Sequence, residues 1–367
     1  MPDNTTPTKE LPKKLDIRLY THNIRYATSH PFKNELPWPH RAPLVISSIR
    51  LHARHNPESL ICLQEVLHSQ LLDILEGLGP EWAHIGVGRD DGQKAGEYSP
   101  ILFRYSVWAI EKVRSIWLSE TPEVPSKGWD ASNKRILTSV LLRHWETGVV
   151  VLGLNTHLDD QGVVARLESG KIILKHIADQ RQQFLLDQQQ KQQQQQQQPQ
   201  QQQLGLSVDQ QQQKPQQHNE LPIFLAGDFN STPDEEAYKH LTTHSSPIHD
   251  LRNAVGKSER YGHDNTFTGF ESRAVDQKRI DFLFLSKGGG WKVGGYGVLE
   301  TRFEDGVFSS DHRPVVGDVS LSLADSPVTP SAVASRLAQE DADIAFLVQY
   351  TDTVHSLADP GATTGSA

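Results

Sequence analysis

Short apolar runs separated by helix-like stretches are the feature that most constrains the fold of this 367-residue chain. The runs are rich in Val, Ile, Leu and Phe and are bordered by Gly, Pro, Asp or Asn, which is typical of β-strands. The predicted strands are 16–22, 59–64, 82–87, 99–105, 107–118, 136–145, 149–156, 222–227, 280–285 and 313–319. The predicted helices between them are 39–54, 68–77, 162–187 and 234–242. This alternation predicts a layered α/β fold rather than a helical bundle.

Two segments depart from this globular pattern. Residues 188–217 are dominated by Gln and have no apolar period, so we predict a low-complexity insertion that adds nothing to the core. Two structures are open for this insertion: a continuation of the preceding helix into solvent, or disorder. Two roles are also open: association with other molecules, or a repeat expansion without a function. Residues 326–367 form an acidic tail with one predicted amphipathic helix, which docks on the chain or on a partner. We expect disorder at 1–14 and one domain over 15–325.

Charge and composition narrow the functional classes. The formal net charge is −9, without the basic footprint that long nucleic-acid ligands usually require, although a local basic rim stays open. The single cysteine, Cys62, precludes an intramolecular disulfide and is expected to be buried. No signal-peptide pattern and no 18-residue apolar run occurs, so we expect no membrane span. Cytoplasm is the expected compartment, with the nucleus as the alternative.

The strongest chemical motif is LPIFLAGDFNSTP at 221–233. An apolar strand leads into Asp228 and Asn230, which share one face if the extended geometry continues. A carboxylate in this position can take a proton from water, and the amide can orient that water or a substrate oxygen. The structural alternative is an Asx-type turn closed by Ser-Thr-Pro.

Two further motifs bring polar residues to strand ends, where ligand sites form in layered α/β folds. SSDHRPVV places Asp311 and His312 just before a strand; the carboxylate can hold a metal, and the imidazole can stabilise or protonate a phosphate oxygen. In KRIDFLFLS, Asp281 opens an apolar strand and needs a partner there. That partner is His312 or, alternatively, a structural arginine.

Three motifs are weaker when taken singly. Glu65 follows the apolar run of LICLQE, and Asn23 ends the first strand in RLYTHN; both offer oxygens to a hard cation, and cap or turn roles are the alternative. His157 follows a long strand in VLGLNTHLDD and is either structural or, with Asp159, a zinc ligand. The absence of Cys or further His at ligand spacing disfavours zinc.

Together and in this order, the motifs N-I-R, L-Q-E, N-T-H-L-D, G-D-F-N, R-I-D-F and S-D-H-R-P-V resemble the endonuclease/exonuclease/phosphatase superfamily over about residues 15–320. That group includes DNase I, abasic-site endonucleases, neutral sphingomyelinases, inositol polyphosphate 5-phosphatases and the carbon-catabolite-repressor-4/nocturnin deadenylases. GEYSPILFR (96–104), the segment 116–136 and NTFTGF (265–270) are similar to a subgroup of small bacterial and fungal members near the deadenylase-type exonucleases. The resemblance implies a DNase I-like, four-layer α/β sandwich with helices outside both sheets.

The resemblance also implies a metal and an attacking water. Glu65 is similar to the principal Mg²⁺ (or Mn²⁺) ligand, with Asn23 and Asp311 completing or flanking the site. Asp228 is similar to the residue that activates the water, positioned by Asn230.

Two histidines are implied to contact phosphate. His312 resembles the phosphate-contacting histidine, held by Asp281, and His157 resembles a second one. Glu97 is the candidate carboxylate partner of His157, and Tyr98 is the alternative, as a substrate contact.

One position departs from the abasic-site endonucleases, which have Asp two residues after the first-motif Asn. Here Arg25 occupies it, which disfavours two metals and a DNA-repair analogy and offers a phosphate contact. Arg41 and Arg135 are further phosphate candidates, with structural ion pairs as the alternative. Trp129 and Phe267 are candidates for stacking on bases, with core packing as the alternative.

The implied chemistry is metal-assisted in-line attack of water on phosphorus. A phosphodiesterase acting on nucleic acid, with 3′-5′ exonuclease action on RNA as the leading substrate prediction, is the first hypothesis. A phosphatase or phosphodiesterase for a small molecule such as a nucleotide, sugar phosphate or inositol phosphate is the second, which the acidic balance favours. A non-catalytic interaction protein that uses the Gln tract and tail is the third.

Overall fold

A computed structural model describes residues 13–197, 220–271 and 277–323 of the chain. The strands are β1 (Lys14–Asn23), β2 (Leu60–Gln64), β3 (Trp82–Ile85), β4 (Ile101–Arg104), β5 (Trp108–Trp117), β6 (Ile136–His144), β7 (Val150–His157), β8 (Ile223–Asp228), β9 (Ile248–Asp250), β10 (Arg260–Gly262), β11 (Asp281–Ser286), β12 (Trp291–Val298) and β13 (Val315–Ser322). The α-helices are α1 (Trp38–Ala53), α2 (His68–Leu78), α3 (Val163–Gln197) and α4 (Glu236–Leu241).

The strands form two mixed sheets. One has the order β10-β12-β13-β1-β2-β4-β3 and the other β5-β6-β7-β8-β11-β9. β1 and β2 run parallel at the centre of the first sheet, and β7 and β8 run parallel at the centre of the second.

Strand alternation divides the apolar residues among three layers of core. Cys62 on β2 and Phe224 on β8 point into the core between the sheets. Leu63 of β2 instead packs with α1 and α2, and Leu225 of β8 packs with α3 and α4. Because both faces of these strands are buried, their sequences are continuously apolar. The predicted two-sheet α/β sandwich with helices on both outer faces is confirmed.

The predicted elements agree with the observed ones within a few residues, with two differences. β1 begins at Lys14, so this residue, predicted to be disordered, lies in a strand, and residues 1–12 lie outside the described part of the chain. α3 continues to Gln197, so the first part of 188–217 is helical and extends the predicted helix. The rest of that tract and the acidic tail at 326–367 lie outside the described residues.

Three strands were not predicted from the sequence. β9 and β10 are three residues long, too short to show a period. β12 has the sequence WKVGGYGV, whose three glycines weaken the apolar signal. Within the described ranges, no helix combines the length and apolarity needed to cross a membrane.

Two buried histidines make stability depend on pH. Nε2 of His22 lies 3.0 Å from the carbonyl oxygen of His312, and Nε2 of His176 lies 2.9 Å from Oγ of Ser139. Burial lowers the pKa of His22 to about 3 and that of His176 to about 4, from an ordinary value of 6.5. Below about pH 6.5 these two histidines are therefore protonated in the unfolded chain but remain neutral in the folded chain.

We expect the free energy of unfolding to hold above about pH 6.5 and to fall as the pH drops toward about 4. Each of these two histidines should contribute a loss on the order of 2–3 kcal/mol at pH 4. Urea unfolding of the wild type and of His176→Gln at pH 7.5 and 4.5 measures this. The variant should lose less stability than the wild type over the same interval; parallel losses would refute the role of His176.

Candidate active site

The ends of the central strands bring the polar motif residues to one edge of the sandwich. Asn23 ends β1, and Glu65 directly follows β2. In the other sheet, Asp228 ends β8 and lies in register with His157 on β7 and with Asp281 on β11. The strand pairing therefore places a carboxylate at the centre of a group of titratable side chains.

The backbone at this edge is unusually constrained. Gly227 has φ +150°, and a Cβ there would lie 2.1 Å from the carbonyl oxygen of Thr156, so only glycine fits before Asp228. Glu65 and Asn230 have left-handed φ values of 58° and 45°. Non-glycine residues held in this region cluster at functional sites, where the surrounding structure imposes the strain.

Asp228 is buried and contacted from four sides. Its Oδ1 accepts a hydrogen bond from the backbone N–H of Asn230 (2.9 Å), and its Oδ2 accepts one from Nδ2 of Asn23 (2.9 Å). The Nε2 atoms of His157 and His312 each lie 3.6 Å from the same Oδ2. Burial, and then the negative charge of Asp281, raise the pKa of Asp228. A held carboxylate with raised basicity is suited to take a proton from water.

His312 forms a buried pair with a carboxylate, as predicted from the sequence. Its Nδ1 lies 2.9 Å from Oδ2 of Asp281. Burial lowers the pKa of His312, but the charges of Asp281 and Asp228 outweigh it, and the pKa lies well above its ordinary value. The ring of Phe267 packs edge-on against the imidazole at 5.0 Å between centroids. His312 is therefore an imidazolium at neutral pH, which can donate a hydrogen bond or a proton through Nε2.

His157 has the opposite charge state. Burial, and then the neighbouring guanidinium of Arg135, lower its pKa to about 4, so the ring is neutral at pH 7. Nε2 lies 3.0 Å from Nδ2 of Asn230, which has only hydrogens to offer, so Nε2 is the acceptor and Nδ1 carries the proton. Nδ1 lies 3.6 Å from Oε2 of Glu97, the carboxylate predicted as its partner.

This geometry alters the roles predicted for His157 and Asn230. The lone pair of His157 holds the side chain of Asn230, so the imidazole does not offer a hydrogen to phosphate in this arrangement. Asn230 positions Asp228 through its backbone N–H, while its amide also donates to the carbonyl oxygen of Leu158 (3.0 Å). The Asx-type turn weighed as an alternative is therefore present and holds the carboxylate.

Acidic oxygens that fit a hard cation lie beside Asp228. Glu65 and Asp311 are close enough for their charges to interact, and burial followed by the charge of Glu65 raises the pKa of Asp311 to about 6, against the opposing effect of His312. Two neighbouring carboxylates, one of them with a raised pKa, are suited to share a divalent ion, and oxygen ligands match Mg²⁺ or Mn²⁺. Asn23 flanks this pair. Its amide nitrogen donates to both Glu65 and Asp228, and its oxygen accepts a hydrogen bond from the backbone N–H of Arg25.

A second group also has metal-like spacing. Ligand atoms of Asp228, Asp281 and His312 lie within 4.8 Å of one another. This buried group could therefore hold a metal ion, although Oδ2 of Asp281 already lies 2.9 Å from Nδ1 of His312. The carboxylates of Glu65 and Asp311 are the other candidate ligands.

Arg41 was wrongly predicted to clamp phosphate. Its side chain is fully buried, and its nitrogens donate to the carbonyl oxygens of Leu36, Ile24, Ser309 and Arg25 at 2.7–3.0 Å. Arg41 thus ties together the chain segments behind the site and stabilises their relative positions.

Arg135 and Tyr98 are also structural. Arg135 is buried and pairs with Asp159 (3.1 Å) and Asp160 (2.7 Å). Asp159 in turn accepts several backbone N–H groups, which lower its pKa against the effect of burial and leave no free lone pair for zinc with His157. Tyr98 is 2 % exposed, and its hydroxyl donates to the carbonyl oxygen of Gln93, so it is not a substrate contact.

Two aromatic rings pack against Arg25, and two large aromatic side chains are exposed. The Arg25 guanidinium lies over the rings of Tyr26 (4.2 Å) and Phe32 (4.5 Å) and pairs with Glu35. Phe32, which sequence reasoning missed, is 60 % exposed, and Trp129 is 37 % exposed with a left-handed φ of 47°. An exposed aromatic ring after a run of polar residues was the available signal for Phe32.

Comparison with solved structures gives the class of fold. A Bacteroides vulgatus endonuclease/exonuclease/phosphatase is 30% identical, with TM-score 0.66, covering 83% of this chain and 99% of that one. A Bacteroides thetaiotaomicron mannosyl-6-phosphatase is 28% identical, with TM-score 0.65, covering 83% and 99%. The human nocturnin catalytic domain is 18% identical, with TM-score 0.54, covering 84% and 95%, which concerns the fold alone. Comparison with curated proteins gives no match.

The two-sheet sandwich with a carboxylate–histidine site at one edge thus defines a DNase I-like protein. The model of the Endonuclease/Exonuclease/phosphatase family matches residues 20–312. The chain belongs to this family, as the sequence motifs predicted.

Proposed function

We propose that this protein is a divalent-metal-dependent phosphoester hydrolase and that its substrate is a small phosphomonoester. The observation that carries the proposal is the arrangement around Asp228: a buried carboxylate of raised pKa, with an imidazolium Nε2 3.6 Å from its Oδ2. Attack of water on phosphorus requires a base that takes the proton of the water and a cationic group that stabilises the phosphoryl oxygens, and both lie side by side here.

Asp228 takes the proton of the attacking water. The hydrogen bonds from Asn23 and from the backbone of Asn230 fix the direction of its oxygens, so the water is aligned before the reaction. Because Asp228 is buried beside Asp281, its raised pKa gives it more driving force for this transfer than an exposed aspartate has.

His312 supplies positive charge where phosphoryl oxygens accumulate negative charge. Its Nδ1 is held by Asp281, so the Nε2 hydrogen points in a fixed direction. The imidazolium can stabilise the transition state by hydrogen bonding or donate its proton to the leaving oxygen.

The carboxylates of Glu65 and Asp311 would hold Mg²⁺ or Mn²⁺. Such an ion, when bound, withdraws charge from the phosphoryl oxygens. Arg25 lies beside this pair, with its Nη1 3.6 Å from Oε2 of Glu65, and stabilises the negative charge of the carboxylate.

Two observations favour a small phosphomonoester over a nucleic acid. The net charge of −9 disfavours long polyanions, which bind through many basic contacts. The structural relative with TM-score 0.65 and 28% identity is a mannosyl-6-phosphatase, so a sugar phosphate is the first substrate to test. RNA exonuclease activity is the second candidate, favoured by the exposed rings of Phe32 and Trp129, which could stack on bases.

A substrate panel separates these candidates. Purified protein with Mg²⁺ or Mn²⁺ would be offered mannose 6-phosphate, other hexose 6-phosphates, a nucleoside monophosphate and an oligoribonucleotide. We expect release of inorganic phosphate from one or more monoesters, no shortening of the RNA, and no release in EDTA. Shortening of the RNA without phosphate release would replace the small-molecule proposal with the nuclease, and inactivity on all would contradict both.

A further inference from the structure

We propose that Arg89 is a positioning residue of this site: it fixes the Glu97 carboxylate against Nδ1 of His157 and so keeps that imidazole as the hydrogen-bond acceptor for Asn230. The catalytic consequence rests on the proposed function. The positioning itself concerns contacts that can be measured without any substrate.

The Arg89–Glu97 pair makes two side-chain contacts. Nη2 of Arg89 donates to Oε1 of Glu97 (2.9 Å), and Nη1 makes an ion-pair contact of 2.8 Å with Oε2, which has no hydrogen-bond partner among the described residues. The two residues are also joined by a hydrogen bond from the backbone N–H of Arg89 to the carbonyl oxygen of Glu97 (3.1 Å). A guanidinium that contacts both carboxylate oxygens restricts the orientation of the carboxylate as well as its distance, which the single ammonium of a lysine does less well.

The loop that carries Arg89 is itself anchored. The indole N–H of Trp117 donates to the carbonyl oxygen of Arg89 (2.8 Å), and the guanidinium is largely buried. Gly96, just before Glu97, has a φ of +81°, which glycine adopts without strain. The carboxylate of Glu97 therefore has a defined position relative to β5.

Glu97 is the acceptor available to His157. Among the described residues, Nδ1 of His157 has no hydrogen-bond partner, and Oε2 of Glu97 lies 3.6 Å away. A shift of roughly 0.6 Å would bring the pair to the ordinary hydrogen-bond distance. With Nδ1–H directed at Glu97, Nε2 keeps the lone pair that accepts the amide of Asn230.

Arg89 also controls the charge that Glu97 presents. The charged groups that act on His157 are Arg135, Asp228, Glu65 and Arg89, with Glu97 at its Nδ1. A carboxylate neutralised by a guanidinium attracts a proton to the imidazole less than a bare one does. Asp281, the partner of His312, forms no ion pair with an arginine in the described part of the chain, and His312 is protonated. The two carboxylate–histidine pairs therefore differ in that Glu97 carries an arginine, which adds to burial and to the charge of Arg135 in keeping His157 neutral.

The test compares Arg89→Gln and Arg89→Lys with a matched control, Arg18→Gln. Arg18 also makes a two-point pair, with Asp318 at 2.7 Å for both contacts, near the middle of β1 and five residues before Asn23. Nitrogen NMR of histidine-labelled protein, with His157→Gln to assign the signal, reports the protonation state and tautomer of His157 directly.

We expect His157 in the wild type to remain neutral, with the proton on Nδ1, down to about pH 5. Arg89→Gln should raise its pKa by at least about one unit and lower kcat by about 10–100-fold with KM nearly unchanged. Arg89→Lys should recover the charge state in part, and Arg18→Gln should change neither. An unchanged His157 signal in Arg89→Gln, or the same shift in Arg18→Gln, would overturn the proposal. A shifted His157 signal in a protein without phosphoester hydrolysis would uphold the positioning and reject the proposed function.

Discussion

Asp228→Asn should lower kcat/KM by about 10³–10⁴-fold and leave the protein folded. The amide keeps the shape of the carboxylate but has a single acceptor oxygen, so it keeps only one of the hydrogen bonds that Oδ1 and Oδ2 accept from Asn230 and Asn23, and it cannot take the proton of water. Removing a buried charge next to Asp281 should offset the lost hydrogen bond, so the free energy of unfolding should change little. Phosphate release and urea unfolding of the same preparation measure both effects.

Asp250→Asn is the matched control for this variant. Asp250 is likewise 1 % exposed and lies on β9 of the same sheet, where it accepts from the hydroxyl of Tyr238 (2.8 Å) and pairs with Arg279. Its replacement should lower stability and spare kcat. Loss of activity in Asp250→Asn equal to that in Asp228→Asn would mean that general damage explains both.

His312→Gln is expected to cost about 10²–10⁴-fold in kcat/KM, because it removes the imidazolium that faces the phosphoryl oxygens. Asp281→Asn should lower kcat/KM by a smaller factor. It should also move the alkaline limb of the pH–activity profile to lower pH, because His312 loses the negative charge that raises its pKa. The double variant should be little worse than His312→Gln alone, since the two residues act as one unit.

His176→Gln serves as the control for the histidine variant, because His176 is also buried and hydrogen-bonded but lies on α3 against Ser139. It should retain kcat. Additive losses in Asp281→Asn and His312→Gln would contradict the view that the aspartate works through the imidazole.

The architecture and the centre of the site were readable from sequence because both follow strand patterns. The strands that carry Asp228 and Asp281 are apolar on both faces, so a polar residue at either end stands out, whereas the strand that ends at Asn23 alternates apolar and polar residues. Pleat and register then bring Asp228 opposite Asp281 without any further information. The pairing of Asp281 with His312, predicted from the cost of a charge in a strand, has the expected geometry.

The roles of Arg41 and Arg135 show that a local sequence pattern does not predict which groups an arginine contacts. Arg41 donates to carbonyl oxygens of Ile24 and Ser309, positions far apart in sequence, and no local motif encodes that convergence. Arg135 likewise pairs with carboxylates more than twenty positions away. Whether an arginine binds substrate or the protein's own backbone depends on tertiary contacts, which is why these two were predicted wrongly.

The charge states of His157 and His312 also could not be predicted from the sequence. Both follow or precede strands in similar motifs, and both were predicted to contact phosphate. Burial beside Arg135 keeps His157 neutral, whereas burial beside two carboxylates keeps His312 protonated. The difference leaves Nε2 of His312 as a hydrogen-bond donor and Nε2 of His157 as the acceptor for Asn230.

The central claim is that water attacks phosphorus at this site, and oxygen-18 labelling tests it most directly. The substrate would be the monoester that the panel identifies, turned over with Mg²⁺ in water enriched in oxygen-18, and the masses of both products would be measured. We predict one solvent oxygen in the inorganic phosphate, none in the alcohol, no release with EDTA, and release slowed by about 10³–10⁴-fold with Asp228→Asn. Solvent oxygen in the alcohol, or release that is unaffected by EDTA and by Asp228→Asn, would contradict the account.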